Sequence, residues 1–300
     1  MFSSFKNKNF IVFGITASML IWGMSWPSAK VLSHYGKPLE IAFLRFVFTF
    51  ISLYFILVFL KTDLKINKKG LPSLLASSVL IAVYSMLFFT GILKGMPGAG
   101  GVLVTTTTPI VAYILAMLIK KRMPTQKEFF GLIIGLIAGS ILLNIWKHPS
   151  EILASGNLYF VLSTVVWAIL SRFTALSFNY GSPLAYSLWM YLLCIIILGF
   201  FMDFGSIKNI LMTGDTKFWL NMLFNGIVNT GVATTFFFYA TSKIGAEKTS
   251  SFIYIVPFAA AVSSLIALNE VIHWNTIAGG LLGILAVWVI NTKMFSRKEI

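Results

Sequence analysis

Residues 41–60 read IAFLRFVFTFISLYFILVFL, an unbroken apolar run whose single charge is Arg45. A bilayer's hydrocarbon is crossed by a helix of about 20 such residues. Inside hydrocarbon every backbone N–H and C=O must be paired within the protein, so a run this long spells a transmembrane helix. It lacks the strict alternation of a barrel strand.

Nine further segments of this kind lie outward from it, near 10–32, 72–93, 98–119, 128–146, 157–178, 184–204, 218–240, 248–268 and 275–292. Polar or Gly/Pro-containing punctuation separates them, as in LSHYGKPLE, KTDLKINKKG, KKRMPTQ and the longest loop, DFGSIKNILMTGDTK. Composition agrees. The chain is 58% hydrophobic and 11% charged, against about 25% charged in soluble domains. It cannot coat its own surface with polar groups, so most of it faces lipid. The N-terminal MFSSFKNKNF has no small-x-small cleavage site after it and reads as the lead into an uncleaved span.

The net charge is +14. With the N-terminus in the cytoplasm and sides alternating, Lys61, Lys65, Lys68, Lys69, Lys120, Lys121, Arg122, Lys127, Lys243 and both basic termini fall on the cytoplasmic side. Only Lys30, Lys37, Lys94, Lys147, Lys208 and Lys217 fall opposite. Such a bias orients a multi-pass protein of the cell inner membrane with both termini inside. It makes the basic residues topology signals and contacts for the lipid bilayer, with no nucleic-acid partner. The lone cysteine, Cys194, closes no disulfide within the chain and reads as a lipid-facing or packing residue.

The chain repeats itself. Trp22 and Trp167 are 145 positions apart, as are the Pro-Leu pairs at 38 and 183 that open spans two and seven. Pro109 and Pro257, Gly131 and Gly279, and Gly135 and Gly283 are each 148 apart. The unit is five spans, over residues 1–146 and 147–300. A second copy of an odd-numbered unit starts on the opposite side, which gives an inverted repeat. The expected fold class is therefore an all-α integral membrane protein of ten transmembrane helices, arranged as two inverted five-helix repeats.

These residues resemble the EamA-type group of the drug/metabolite transporter superfamily. The pattern is a Trp in the first helix of each unit, then a Pro and an Arg in the second. A small-residue turn joins helices three and four, a Pro lies in helix four, and an acidic residue and a Gly-x-x-x-Gly helix follow. Here it is carried by Trp22, Pro38, Arg45, KGMPGAGG, Pro109 and Gly131/Gly135, then by Trp167, Pro183, KIGAEKTS, Pro257, Glu270 and Gly279/Gly283. Arg122 stands where the first acidic residue is expected, and Met190 stands opposite Arg45. The resemblance implies a basket-like bundle with a central cavity, moving metabolites or amino acids by alternating access.

Charges inside spans are costly and should face protein or water. Arg172, in span six, is either an anion contact for substrate or a side chain snorkelling to headgroups. Arg45 reads as a structural hydrogen-bonder. Trp22 and Trp167, at repeat-related mid-span positions, suggest a cavity wall. Asn225 and Asn229 share a helix face, either toward substrate or in helix–helix hydrogen bonds. Thr105 to Thr108, Thr106 among them, offer hydroxyls to a ligand or to the backbone that Pro109 leaves unpaired. Tyr84 and Tyr254 complete the candidate cavity. The Gly-x-x-x-Gly motifs are close-packing surfaces, between the halves or in a homodimer.

No Asp, Glu or His falls mid-span, and His34, His148 and His273 lie in loops. A membrane-embedded enzyme needs paired carboxylates, metal ligands or a nucleophile with its base; a channel shows a filter loop or charged rings. Neither pattern is present, and no metal or cofactor is expected. The reading is a secondary transporter, an exporter or exchanger, of a small metabolite such as an amino acid or related anionic or zwitterionic compound.

Overall fold

The computed structural model describes residues 8–94, 97–146, 156–268 and 274–292. The expected Glu270, His148 and His273 lie outside them. The first half holds α1 (Lys8–Leu32), α2 (Pro38–Phe59), α3 (Leu71–Lys94), α4 (Pro97–Lys120) and α5 (Gln126–Leu143). The second holds α6 (Asn157–Ala175), α7 (Pro183–Gly199), α8 (Phe204–Thr213), α9 (Thr216–Leu223), α10 (Thr235–Ile244), α11 (Ala246–Ser251), α12 (Val256–Leu268) and α13 (Trp274–Ile290). Among the described residues the one extended pairing is a single bridge, Ile66 with Gly181.

Local chemistry sets the helix starts. Pro38 opens α2, where its missing N–H costs nothing, and the Glu40 carboxylate accepts the Lys37 N–H at 2.7 Å. Thr125 caps α5, and Glu128 returns the bond to the Thr125 N–H at 2.7 Å, a capping box. Asp215 caps α9 through the Phe218 N–H at 2.8 Å. That bond and the Tyr35 hydroxyl hold the exposed Asp215 carboxyl below its ordinary pKa.

Six helical stretches among the described residues are long and apolar enough to cross a membrane: 9–32, 38–59, 68–94, 100–120, 126–143 and 157–179. A seventh is the pair α7 and α8 taken together, bent by 110°. The segment 203–217, expected to be loop, instead forms the short helix α8. Asp203 caps it through the Gly205 N–H at 3.0 Å, and its Ile207 and Ile210 are buried.

The expected span 218–240 is also not a plain α-helix. Residues Phe224–Thr234, between α9 and α10, wind as a π-helix. The Thr234 and Thr235 hydroxyls bond the carbonyls five residues back, of Asn229 at 3.0 Å and Thr230 at 3.3 Å. Gly226 lets α2 approach, and Thr49 donates to its carbonyl at 2.8 Å. A π-segment widens the helix and re-aims its side chains.

The two glycine helices pack on each other within the chain. A Cβ at Gly131 would lie 3.2 Å from the Ala286 carbonyl oxygen, and one at Gly279 would lie 2.9 Å from that of Ala138. The N-terminal part of each helix thus meets the C-terminal part of the other, so α5 and α13 run antiparallel. Asn275, at the start of α13, donates to the Leu142 carbonyl at the end of α5, at 3.2 Å. Cys194 is fully buried, as a packing residue.

Candidate functional site

A cavity of about 60 Å³ sits among α1, α2, α3, α4, α6, the π-segment and the α11–α12 junction. One part of its wall is aromatic. Trp22 and Trp167 meet edge to face with ring centres 5.3 Å apart, and Tyr84 lies 4.6 Å from Trp167. Phe237 stands behind both tryptophans, at 5.0 and 5.5 Å.

The opposing chemistry is Arg45. It is 6% exposed. Its Nη2 donates to the Ser85 hydroxyl at 2.7 Å, and the guanidinium lies over Phe46 and Phe89, 4.8 and 5.1 Å from the ring centres. Such cation–π contacts favour the charge without neutralising it. Among the described residues the ion pairs are Lys120–Glu247 and Arg122–Glu128, so no carboxylate meets Arg45. Its Nε has no partner.

Neutral polar groups complete the wall. Asn225 donates to the Ser28 hydroxyl at 2.6 Å and to the Asn221 carbonyl at 3.1 Å. Asn229 leans on Asn225 at 3.4 Å. That amide ladder occupies the Asn229 Nδ2 and leaves Oδ1 unpartnered in the cavity wall, beside the unpartnered Thr230 hydroxyl. Trp22 donates its indole N–H to Thr234 at 3.2 Å, whereas the Trp167 Nε1 has no acceptor. Buried polar atoms are almost always paired. Two donors and two oxygens left over around one hollow describe a ligand with an acceptor group at one end and a donor at the other.

Of the sequence candidates, Trp22, Tyr84, Trp167 and Asn229 meet at the cavity, and Thr106, Arg172, Asn225 and Tyr254 do not line it. Thr106 packs toward Gly139 on α5. Its neighbours Thr105 and Thr108 line the cavity, each bonding the carbonyl four residues back, of Gly101 at 2.8 Å and Val104 at 2.6 Å. Neither meets the Thr105 carbonyl that Pro109 leaves without its N–H. Asn225 sits one turn from the wall and orients Asn229. Tyr254 is buried between Gly135 and Gly283. Arg172, half-buried in the last turn of α6, suits the negative end of a helix. The cationic side chain at the cavity is thus Arg45 and not Arg172. In the sequence Arg45 lies toward an end of its span, where snorkelling or carbonyl bonding explains a charge. Its missing carboxylate partner is visible only once the helices pack. Arg122, at the position of an expected acid, makes a two-pronged pair with Glu128, both bonds 3.0 Å.

Comparison with known proteins matches residues 9–145 and 154–292 to the EamA-like transporter family model. An uncharacterized transporter of Bacillus subtilis, YoaV, is 29% identical over 97% of this chain and 99% of its own. One of Archaeoglobus fulgidus is 25% identical over 95% and 99%. A solved crystal structure superposes with a TM-score of 0.71 over 95% of this chain and 98% of its own, at 14% identity, a likeness of fold.

Proposed function

The chain belongs to the EamA-like transporter family, and on that premise we propose that it is a secondary carrier, exporter or exchanger, of a small zwitterionic or anionic metabolite such as an amino acid. The observation that carries this is the buried Arg45 guanidinium beside a central cavity with no carboxylate to neutralise it. An uncompensated charge in hydrocarbon is expensive. A substrate carboxylate that reached Arg45 and the Trp167 N–H would relieve that cost with charge-assisted hydrogen bonds. Its amino group would then face Asn229 Oδ1, Thr230 and the aromatic rings.

The carrier has ten spans in two inverted repeats and lies in the inner membrane with both termini cytoplasmic. The antiparallel α5 and α13 support the inversion. So does the Asn67 N–H bond to the Tyr180 carbonyl at 2.7 Å, which joins the turn after α2 to the turn after α6. The ends of the second and sixth helices then share a side, opposite to the end of the first. A cavity of about 60 Å³ is well below the ~300 Å³ and upward of ligand sites, so substrate enters only when the halves rock apart, as alternating access requires.

The test is uptake and efflux of radiolabelled L-amino acids in proteoliposomes, with and without a pH gradient, for the parent and Arg45→Met. Saturable transport by the parent that Arg45→Met loses is expected. Equal transport by both removes Arg45 from the site.

A further inference from the structure

We infer that a buried seam on α6, formed by Ser171, Thr174 and Ser177, is the access path between the cavity and the face bearing Lys120 and Glu247, and that this ion pair latches it shut. The inference rests on the carrier reading and adds a second site to it.

Trp167, Ser171 and Thr174 follow one another at four- and three-residue spacing, so they share one face of α6. Ser177 lies in the turn just beyond. Trp167 borders the cavity, and the other three lead away from it, each no more than 1% exposed. A hydroxyl stripe of this kind ordinarily serves helix packing, and then each hydroxyl bonds a carbonyl or a neighbouring helix. Thr174 does so, meeting the Thr241 hydroxyl of α10 at 3.3 Å. Ser171 Oγ and Ser177 Oγ have no partner, and neither does Trp167 Nε1 at the cavity end. Along the same helix, α11 touches α6 and also α4, and it carries the buried Ser250, whose hydroxyl is likewise unpartnered. In this closed arrangement those atoms are desolvated with nothing in return. A second arrangement in which α10 and α11 part from α6 gives them water or substrate, and turns four isolated defects into one continuous polar lining.

The closure has a mechanical basis. Gly245 joins α10 to α11 at φ +88° and ψ 152°, a backbone region open essentially to glycine alone. That turn sets Glu247 in the first turn of α11, 5% exposed, where Lys120 at the end of α4 pairs with it. The pair ties the first repeat to the second. The positions 148 away, Leu268 and Ala99, carry no charge, so this pair is not duplicated in the sequence.

The test begins without any substrate. Ser171→Cys and Ser177→Cys are made in the native chain, whose own Cys194 is fully buried. Each is then treated with a water-soluble maleimide, with and without Glu247→Gln. Labelling at least about ten-fold faster in the Glu247→Gln background is expected, since the rate follows the population of the opened state. Equal rates overturn the latch. The second arm joins Lys120→Cys to Glu247→Cys by an oxidative cross-link in proteoliposomes loaded with radiolabelled L-amino acids. Flux should drop at least about ten-fold and return on reduction, as a gate held shut requires. Undiminished flux through the cross-linked protein overturns the path. A parent that moves none of these amino acids counts against the carrier reading alone, because the labelling arm still decides the latch.

Discussion

The second and third helices of the two repeats correspond in sequence and do unequal work. α2 and α7 each open on a Pro-Leu pair, yet α2 carries Arg45 to the cavity, and 145 positions later α7 carries Met190, fully buried. α3 is an uninterrupted helix that contributes Ile81 to the wall, whereas 148 positions later the π-segment contributes Asn229. A strictly repeated pattern would bury a second guanidinium at position 190, which does not border the cavity and has no carboxylate paired with it among the described residues. Divergence has given one copy the charge and the other the neutral hydrogen-bonding groups. The duplicated frame supplies the architecture, and the polarity of the site comes from where the copies differ.

Restoring the symmetry is the harshest way to break this comparison. Met190→Arg buries a second guanidinium with no partner, at about 3–5 kcal/mol, and is expected to abolish monodisperse protein on size exclusion. Normal yield and melting temperature would show that α7 has room for a charge. Removing the asymmetry from the other side, Arg45→Met keeps the fold and lowers anionic substrate transport by about 10- to 100-fold, the worth of a hydrogen bond to a charge. Thermal unfolding measured alongside transport separates the two effects.

The glycine helices sharpen the contrast, since there the repeats do the same job. A Cβ at Gly283 would meet the Tyr254 carbonyl at 2.7 Å, and one at Gly131 would meet Cγ1 of the buried Ile290 at 2.4 Å, the inner carbon of a stiff β-branched side chain. Gly283→Ala and Gly131→Ala should therefore each cost about 1–3 kcal/mol of overpacking and lower the melting temperature, and an unchanged melting temperature in either would show that its helix can shift away. Asn229→Ala should weaken substrate binding about five-fold, in line with one lost hydrogen bond of about 1 kcal/mol. The smallest effect belongs to Arg172→Ala, within about two-fold of the parent, because a helix-end charge contributes only about 0.3–1 kcal/mol. A larger loss of transport would return Arg172 to the site.

Much of the frame was legible beforehand. The segments named from hydropathy coincide closely with α1 to α7 and α13, since apolar length is a local property. The glycine positions 148 apart marked two close-packing faces, between the halves or in a homodimer, and the structure joins them as α5 against α13. The departures have local causes that hydropathy averages away. Asp203 and a buried Ile207/Ile210 edge turn an expected loop into α8. Gly226, Gly231 and the threonines at 234 and 235 let a span rewind as a π-helix. Half of the candidate cavity residues reached the cavity. Thr106, Asn225, Tyr254 and Arg172 lie beside it, within a turn or two of residues that do line it, set off by a rotation or a shift along the helix that hydropathy does not fix.

By itself the sequence determined that the chain lives in lipid, that it is helical and that it was built twice, because hydrocarbon demands paired backbones and apolar length and because duplication leaves its spacing in the letters. Only the tertiary structure decided which charge goes unpaired and which polar atoms face one hollow. Partnership is a property of distance between helices far apart in the chain, and a residue's cost or use in the membrane depends on what stands opposite it.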